Sequence, residues 1–287
     1  MDRIAVVTDT TASIPEDLLS ALNIHTVAYY IHRGEEVLLD LVTITRDAFY
    51  SWMNAAEELP KTACPGPGDY LAQYKELISQ GIHDIISIHM TSEGSGAYQS
   101  ALNAKETLQQ DEPDIHIEVV DTRNVAMAHG WIVIEAARAA LAGANLAKVR
   151  ETAENMIPIT HMIQTADTLK YLYMGGRIGK ATHLFGSLLH IKPLISMQDG
   201  IIISIGQSRS RGQAYRKMVE IISQNVGAGG KIKIAYLHAA ALAEAEQIKI
   251  LVEQKLDVIE SFFAELSPAL GVHTGPGTAG VCYFPVV

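Results

Sequence analysis

Short apolar, β-branched runs alternate with stretches of helical period along the first half of the chain. Arg3 to Asp9 is such a run, flanked by turn residues, and Ser13-Ile14-Pro15-Glu16 after it has the form of a capping box opening an amphipathic helix. Asp84 to Met90 precedes a helical stretch from Gly96 to Gln110, and Ile115 to Val120 precedes a long helix from Val125 to Ala142 that Gly143 stops. Buried strands alternating with helices imply a parallel sheet covered on both faces.

After Pro158 the texture changes. Lys192 to Met197 and Ile201 to Ile205 flank Asp199-Gly200, a hairpin signal because a type I′ turn needs two residues that tolerate positive φ. Ile232 to Leu237, Asp257 to Phe263 and Ala279 to Phe284 read as further strands, separated by helices near Arg211 to Asn225 and Leu242 to Gln254. The expected fold is therefore α/β with two α/β domains. The first, 1–157, has a parallel sheet flanked by helices; the second, 158–287, has a mixed sheet with helices and a last strand returning toward the first domain.

Composition narrows the function more than the fold. In 287 residues, 48% hydrophobic and 19% charged, there is enough apolar material for packed cores. The formal charge of −10 repels phosphate backbones and anionic headgroups on average, so nucleic acid is not an expected partner. Charged residues occupy the first positions and no apolar run reaches spanning length, so a cytoplasmic setting without membrane insertion is expected. Two cysteines, Cys64 and Cys282, give neither a disulfide framework nor a zinc site, and no metal or other cofactor is expected.

In open parallel sheets, ligands sit beyond the carboxyl ends of the strands. The segments there are rich in hydroxyls: Thr8-Asp9-Thr10-Thr11, Thr91-Ser92-Glu93-Gly94-Ser95-Gly96 and Asp121-Thr122-Arg123, with Lys61-Thr62-Ala63-Cys64 adding another. Hydroxyls paired with glycines suit a carboxyl group better than a phosphate, which usually recruits Lys, Arg or a glycine cradle. Any one of these loops has a simpler role as a helix cap, and only their recurrence favours a ligand.

Together with Leu169-Lys170-Tyr171-Leu172, Gly175-Gly176-Arg177-Ile178, Ile191-Lys192-Pro193-Leu194, Arg209 and His273-Thr274-Gly275-Pro276-Gly277, these motifs make the chain resemble, end to end, the DegV family. Better-understood members of that family are fatty-acid-binding partners of fatty acid kinase. The resemblance implies a buried long-chain fatty acid whose carboxyl end is held by Thr62, Ser95 and His273. It implies that Arg177, Arg209 and His273 near the opening support phosphoryl transfer by the catalytic subunit of a separate fatty acid kinase. Asp9, Thr10, Ser92, Gly96, Asp121 and Thr122 would then be supporting loop residues. Ala63 stands where the family commonly has Ser, Thr10 replaces a Ser, Ala97 a Thr, and Gln207 a frequent Lys. Neutral donors at Thr62 and Ser95 favour a carboxyl that retains its proton or is bridged by water. Arg211 reads as a solvated surface arginine.

The rival reading is a serine-type esterase, because Ser95, Asp121 and His273 occur in the chain order of α/β-hydrolases. Neither Ser92 nor Ser95 has glycine at both −2 and +2, so the strained nucleophile turn is not encoded. Gly175-Gly176-Arg177-Ile178-Gly179-Lys180 invites comparison with a P-loop, but Met174 occupies the first glycine position and Ala181 that of the magnesium-binding hydroxyl. No HExxH pair is present.

Overall fold

In chain order, β1 (Ile4–Asp9), α1 (Glu16–Ala21) and β2 (Ile24–Val27) make the first βαβ unit, followed by β3 (Tyr30–Arg33), β4 (Glu36–Leu39), α2 (Arg46–Met53), β5 (Lys61–Ala63) and α3 (Pro67–Ser79). Next come β6 (Asp84–His89), α4 (Ala97–Asp111), β7 (His116–Asp121), α5 (Ala126–Leu141) and α6 (Leu146–Met156). The second half holds β8 (His161–Thr165), α7 (Lys170–Met174), 3-10 turns over Gly179–His190, β9 (Lys192–Gln198), β10 (Ile201–Ser208) and α8 (Arg211–Val226). It ends with β11 (Lys231–His238), α9 (Leu242–Glu253), β12 (Asp257–Glu265), α10 (Pro268–Thr274) and β13 (Ala279–Val286). This computed structural model describes residues 3–53, 55–56, 58–227 and 229–286, and of residues 185–190 the backbone alone.

Three sheets organise these elements. The order β2-β1-β6-β7 is parallel throughout, β4-β3-β5 is antiparallel, and β10-β9-β8-β13-β11-β12 is antiparallel except for the β11–β12 pair. Ala5, Val6 and Val7 on β1 are all buried, as a strand covered on both faces requires. α3 and α4 pack together over this sheet, and α5 and α6 make the second pair. The Asp199-Gly200 turn has φ of 51° and 82°, the two positive values that the I′ hairpin needs. Its tip abuts the first half of the chain, where Thr91 Oγ1 donates to the Gly200 carbonyl at 2.9 Å.

α5 explains how the two large sheets are joined. Every residue from Ala126 to Ile134 is buried, a pattern that fits a helix enclosed on all sides rather than an amphipathic one. It packs on β1 and also on β13 and β8 of the six-stranded sheet. Trp131 donates its indole N–H to the Cys282 carbonyl at 3.0 Å and stacks at 4.9 Å from Phe262 and 5.3 Å from Phe284. Gly130 lets the helix press on the first βα loop, where an added Cβ would meet the Ala12 carbonyl at 2.7 Å. The ion pairs of Arg138 with Glu260 and of Lys233 with Glu135 tie the exposed edge of the same junction.

One expectation is corrected. Ser13 does not open a capping box: it sits at φ 54° and closes the 3-10 turn Thr10–Ala12, while Pro15 takes the cap position of α1 with no side chain able to accept a bond. The Ser13 hydroxyl instead accepts from the Ser267 amide at 3.0 Å, tying the first turn to the start of α10. The last strand, β13, joins the six-stranded sheet between β8 and β11 and turns toward the first half by packing on α5.

Because Trp131 is the bulkiest fully buried side chain and makes a directed bond across this junction, Trp131→Ala should lower the unfolding free energy by ~3–5 kcal/mol. Guanidinium unfolding followed by circular dichroism measures this, and a loss below ~1 kcal/mol, within the ordinary range of surface substitutions, would show that the helix is not the principal link.

Candidate functional site

A cavity of about 420 Å³ opens between the carboxyl edge of the parallel sheet and the inner face of the six-stranded sheet. Its interior is apolar, with Met90, Met162, Ile195, Leu266 and Leu270 buried in the wall. Its mouth is marked by Ala63, Gly96 and Arg177, which line it and are exposed. The starts of α4 and α5 both border the space, through Gly94-Ser95-Gly96 and Val125-Ala126. The Ala97 amide is taken by the Ser95 hydroxyl and those of Met127 and Ala128 by the Cys282 thiol, so it is the positive ends of the two helix dipoles, not free N–H groups, that bias the space toward an anion.

Two hydroxyls stand at the mouth, each already engaged by a neutral partner. Thr62 is carried by β5, and its Oγ1 lies 2.7 Å from Nε2 of His273, in the last turn of α10. Burial, followed by the charge of Arg177, pulls the His273 pKa down to about 4, so the ring is neutral near pH 7. Its Nδ1 has no partner among the described residues. Ser95 Oγ lies 2.6 Å from the hydroxyl of Tyr29 and accepts from the Ala97 amide at 3.3 Å. Burial and the nearby charge of Asp9 hold the Tyr29 phenol well above its ordinary pKa, which keeps its proton available for donation.

The glycines of the two downstream motifs serve this geometry by close approach. A Cβ on Gly175 would stand 2.3 Å from His273 Nδ1, and one on Gly275, where φ is +75°, would enter the ring of Tyr171. The Gly175-Gly176-Arg177 loop is thereby packed against α10, and the Arg177 guanidinium donates to the Gly175 carbonyl at 2.6 Å. Arg211, expected to be solvated, is instead a bracket for the turn after α10. It is 20% exposed, pairs with Asp167 at 2.7 Å and donates to the Gly277 carbonyl at 2.8 Å.

Of the residues singled out from sequence, the cavity wall contains Thr62, Ser95, Gly96, Arg177 and His273. Arg209 is exposed and lies outside the wall, its backbone N–H bonded to the Gln213 side chain at 3.1 Å. The remaining loop residues hold the strand ends. Asp9 is fully buried and bonded to Thr11 and to His89 Nδ1. Burial pushes its carboxyl up, but the His89 bond and the charges of His129 and His89 outweigh it and leave the pKa below the ordinary range. Thr10 Oγ1 accepts from the Tyr29 amide at 3.2 Å, so it positions the residue that meets Ser95. Asp121 accepts from the Ser92 hydroxyl at 2.6 Å and the Arg123 amide at 2.9 Å, and Thr122 donates to the His89 carbonyl at 2.8 Å.

A hydrolase relay is not assembled by these contacts, since Ser95 bonds Tyr29, His273 bonds Thr62 and Asp121 bonds Ser92. Among the described residues no group of three His, Cys, Asp or Glu side chains could hold a metal ion, and no helix is long and apolar enough to cross a membrane. Sequence reasoning missed Tyr29 and the wall residues of β8 and β9. A signal existed only for the latter, in the alternate positions Met162 and Gln164, and Ile195 and Met197, that share one face of each strand.

Comparison with known proteins follows from this geometry. The chain matches a family model described as "Uncharacterised protein, DegV family" over residues 3–286. It is similar to a DegV domain-containing protein of Clostridium acetobutylicum, 31% identical over 285 residues that cover 99% of each chain. Its fold is similar to a DegV family protein of Thermus thermophilus whose structure is described by its fatty acid binding. That match has a TM-score of 0.91 and 26% identity, over 99% of this chain and 100% of that one. DegV of Bacillus subtilis, described as a fatty acid binding protein, gives a TM-score of 0.85 at 26% identity over the full length of both. With a match spanning nearly every residue and a relative above 30% identity along its whole length, the chain belongs to the DegV family.

Proposed function

We propose that this protein binds one long-chain fatty acid in the cavity and presents its carboxyl group at the mouth to a separate fatty acid kinase, in the cytoplasm. The observation that carries the reading is the pairing of an enclosed apolar wall with two hydroxyls at the exposed rim. About fifteen methylenes at ~0.8 kcal/mol each contribute on the order of 12 kcal/mol of gross burial, so the tail supplies affinity and the head supplies orientation. Units 1–157 and 158–287 are read as two domains that share the ligand between them.

The head-group chemistry follows from proton positions. A neutral His273 with its proton on Nε2 donates to Thr62, which frees the Thr62 hydroxyl hydrogen to point at the ligand. Tyr29, kept protonated by burial, donates to Ser95 and frees that hydroxyl in the same way. Each donor is polarised by the one behind it. Arg177 at the same rim favours an ionised carboxylate, which replaces the expectation, drawn from Thr62 and Ser95 alone, of a retained proton. Its exposure leaves the guanidinium accessible to the transferring phosphoryl group, and Arg209 is assigned to the surface that the kinase covers. The esterase alternative has no such support, because its three residues are engaged elsewhere.

Thr62→Ala combined with Ser95→Ala should reduce lipid carried through purification at least ~10-fold, two lost hydrogen bonds to a charged group contributing ~1.5–3 kcal/mol each. Native mass spectrometry reads this, and unchanged occupancy would remove the carboxyl site from this rim. Arg177→Ala should keep its lipid yet slow acyl-phosphate formation by the kinase pair. Equal loss of both properties would argue against that division of labour.

His273 should stay neutral until the pH falls to about 4, against an ordinary value of 6.5. Since the folded pKa is depressed, the unfolded chain binds the extra proton first, and stability should decline as pH drops from about 6.5 toward 4. Proton NMR titration with His273→Asn as the assignment control tests this, and a midpoint near 6.5 would contradict it.

A further inference from the structure

One side chain in the cavity wall is left without work by carboxyl binding. On β8, Met162 and Gln164 line the cavity, while Ile163 between them belongs to the core on the other side of the sheet. Gln164 is 3% exposed, and its side-chain amide has no hydrogen-bond partner among the described residues. A primary amide offers two donors and an acceptor oxygen, and those of Gln164 are not among the fully enclosed polar atoms, so they are reached from the cavity that the residue lines.

The surroundings of Gln164 are apolar and shaped around it. In the sheet it pairs with Gly280 on β13 and Ile195 on β9, and the next wall positions are Met162 and Met197. A Cβ on Gly280 would stand 2.9 Å from Gln164 Cγ and 2.3 Å from the Ile163 carbonyl oxygen, so the glycine gives room to the stem of the glutamine. β8 runs from Met162 toward the segment that leads into α7, and α7 packs on α10, which carries His273. The amide therefore lies on the mouth side of Met162, in the stretch that the acyl chain crosses between its carboxyl group and its tail.

We propose that the preferred ligand is a fatty acid bearing a hydroxyl or oxo substituent at the carbon that reaches Gln164, with the amide as its specificity-determining contact. This rests on the lipid-binding reading above and narrows it to oxygenated acyl chains. A hydroxyl matches the amide in both directions, accepting from the NH₂ and donating to the carbonyl oxygen. An unsubstituted chain that fills the cavity displaces water from the amide and offers it neither donor nor acceptor, the arrangement by which a polar site discriminates against a ligand that lacks the matching group.

The test uses the full chain stripped of lipid and displacement of a fluorescent fatty acid by stearic acid and by monohydroxy stearic acids with the hydroxyl moved along successive carbons. One isomer, or two adjacent ones, should bind ~10-fold or more tightly than stearic acid, which corresponds to ~1.4 kcal/mol. Gln164→Leu should abolish that preference and tighten stearic acid. Gln164→Met, close in shape, serves where the leucine variant folds poorly. In the unsubstituted protein, the side-chain amide resonance of nitrogen-15-labelled Gln164 should shift with the favoured isomer and not with stearic acid. Equal binding of every isomer and the parent acid, with no effect of either variant, overturns the preference while leaving a plain fatty-acid site. Failure of the parent acid and all isomers to bind removes the lipid site itself and this inference with it.

Discussion

The enclosure of one apolar helix between two sheets is the constraint on which the rest of the molecule depends. α5 gives one side to the parallel sheet and another to the six-stranded sheet, and Trp131 fixes their separation by a bond to the backbone of β13. Helix-on-sheet packing holds such layers at a distance set by side-chain size, and beyond the beginning of the helix that spacing is left unfilled. The cavity is this gap: Val125 and Ala126 border it where α5 starts. Its apolar walls are core faces of two sheets at a place where the chain supplies no further side chains.

Charge is distributed unevenly around that gap. The chain carries a formal −10, yet the cavity lining sets only Glu93, which is exposed, against Arg177, two helix starts and hydroxyls whose own partners are neutral. The acidic group nearest in sequence to the first strand end, Asp9, is withdrawn into a buried cluster with Thr11 and His89, so it does not oppose an anion at the rim. A negative protein can in this way hold a negative ligand, since local donors and not the averaged field decide the outcome at hydrogen-bonding distance.

The large repeating elements were legible because their patterns are long and redundant. β1, β6 and β7 with the helices after them, the Asp199-Gly200 hairpin and the strands that end the chain all lie close to where periodicity placed them. The short elements that build the site were not. β5 has three residues, β8 five and α10 seven, below the length at which a period of 2 or 3.6 can be read. The hydroxyl-rich loops announced a strand edge but not which hydroxyls line the cavity. Thr62 and Ser95 do, whereas Thr10, Ser92 and Thr122 bond to backbone and neighbouring side chains, a distinction that depends on contacts across the fold. Tyr29 carried no signal, because its value lies in meeting Ser95 from sixty-six positions away. Gln164 was hidden for the opposite reason: a polar residue in a short strand reads as an outward face.

That the cavity takes its roof from one half of the chain and its floor from the other gives an occupant a mechanical role. Whatever fills the space acts as mortar between Thr62 or Ser95 and Met162 or Ile195, adding to the joints already made by α5, the Gly200 tip, and the contacts of α2 and β5 with α10. A ligand present at a hundred times its dissociation constant adds ~2.7 kcal/mol to the folded state. Loaded and unloaded copies of a protein held together in this way differ in their lifetime against proteases, and on the proposed function its abundance would record the supply of its ligand.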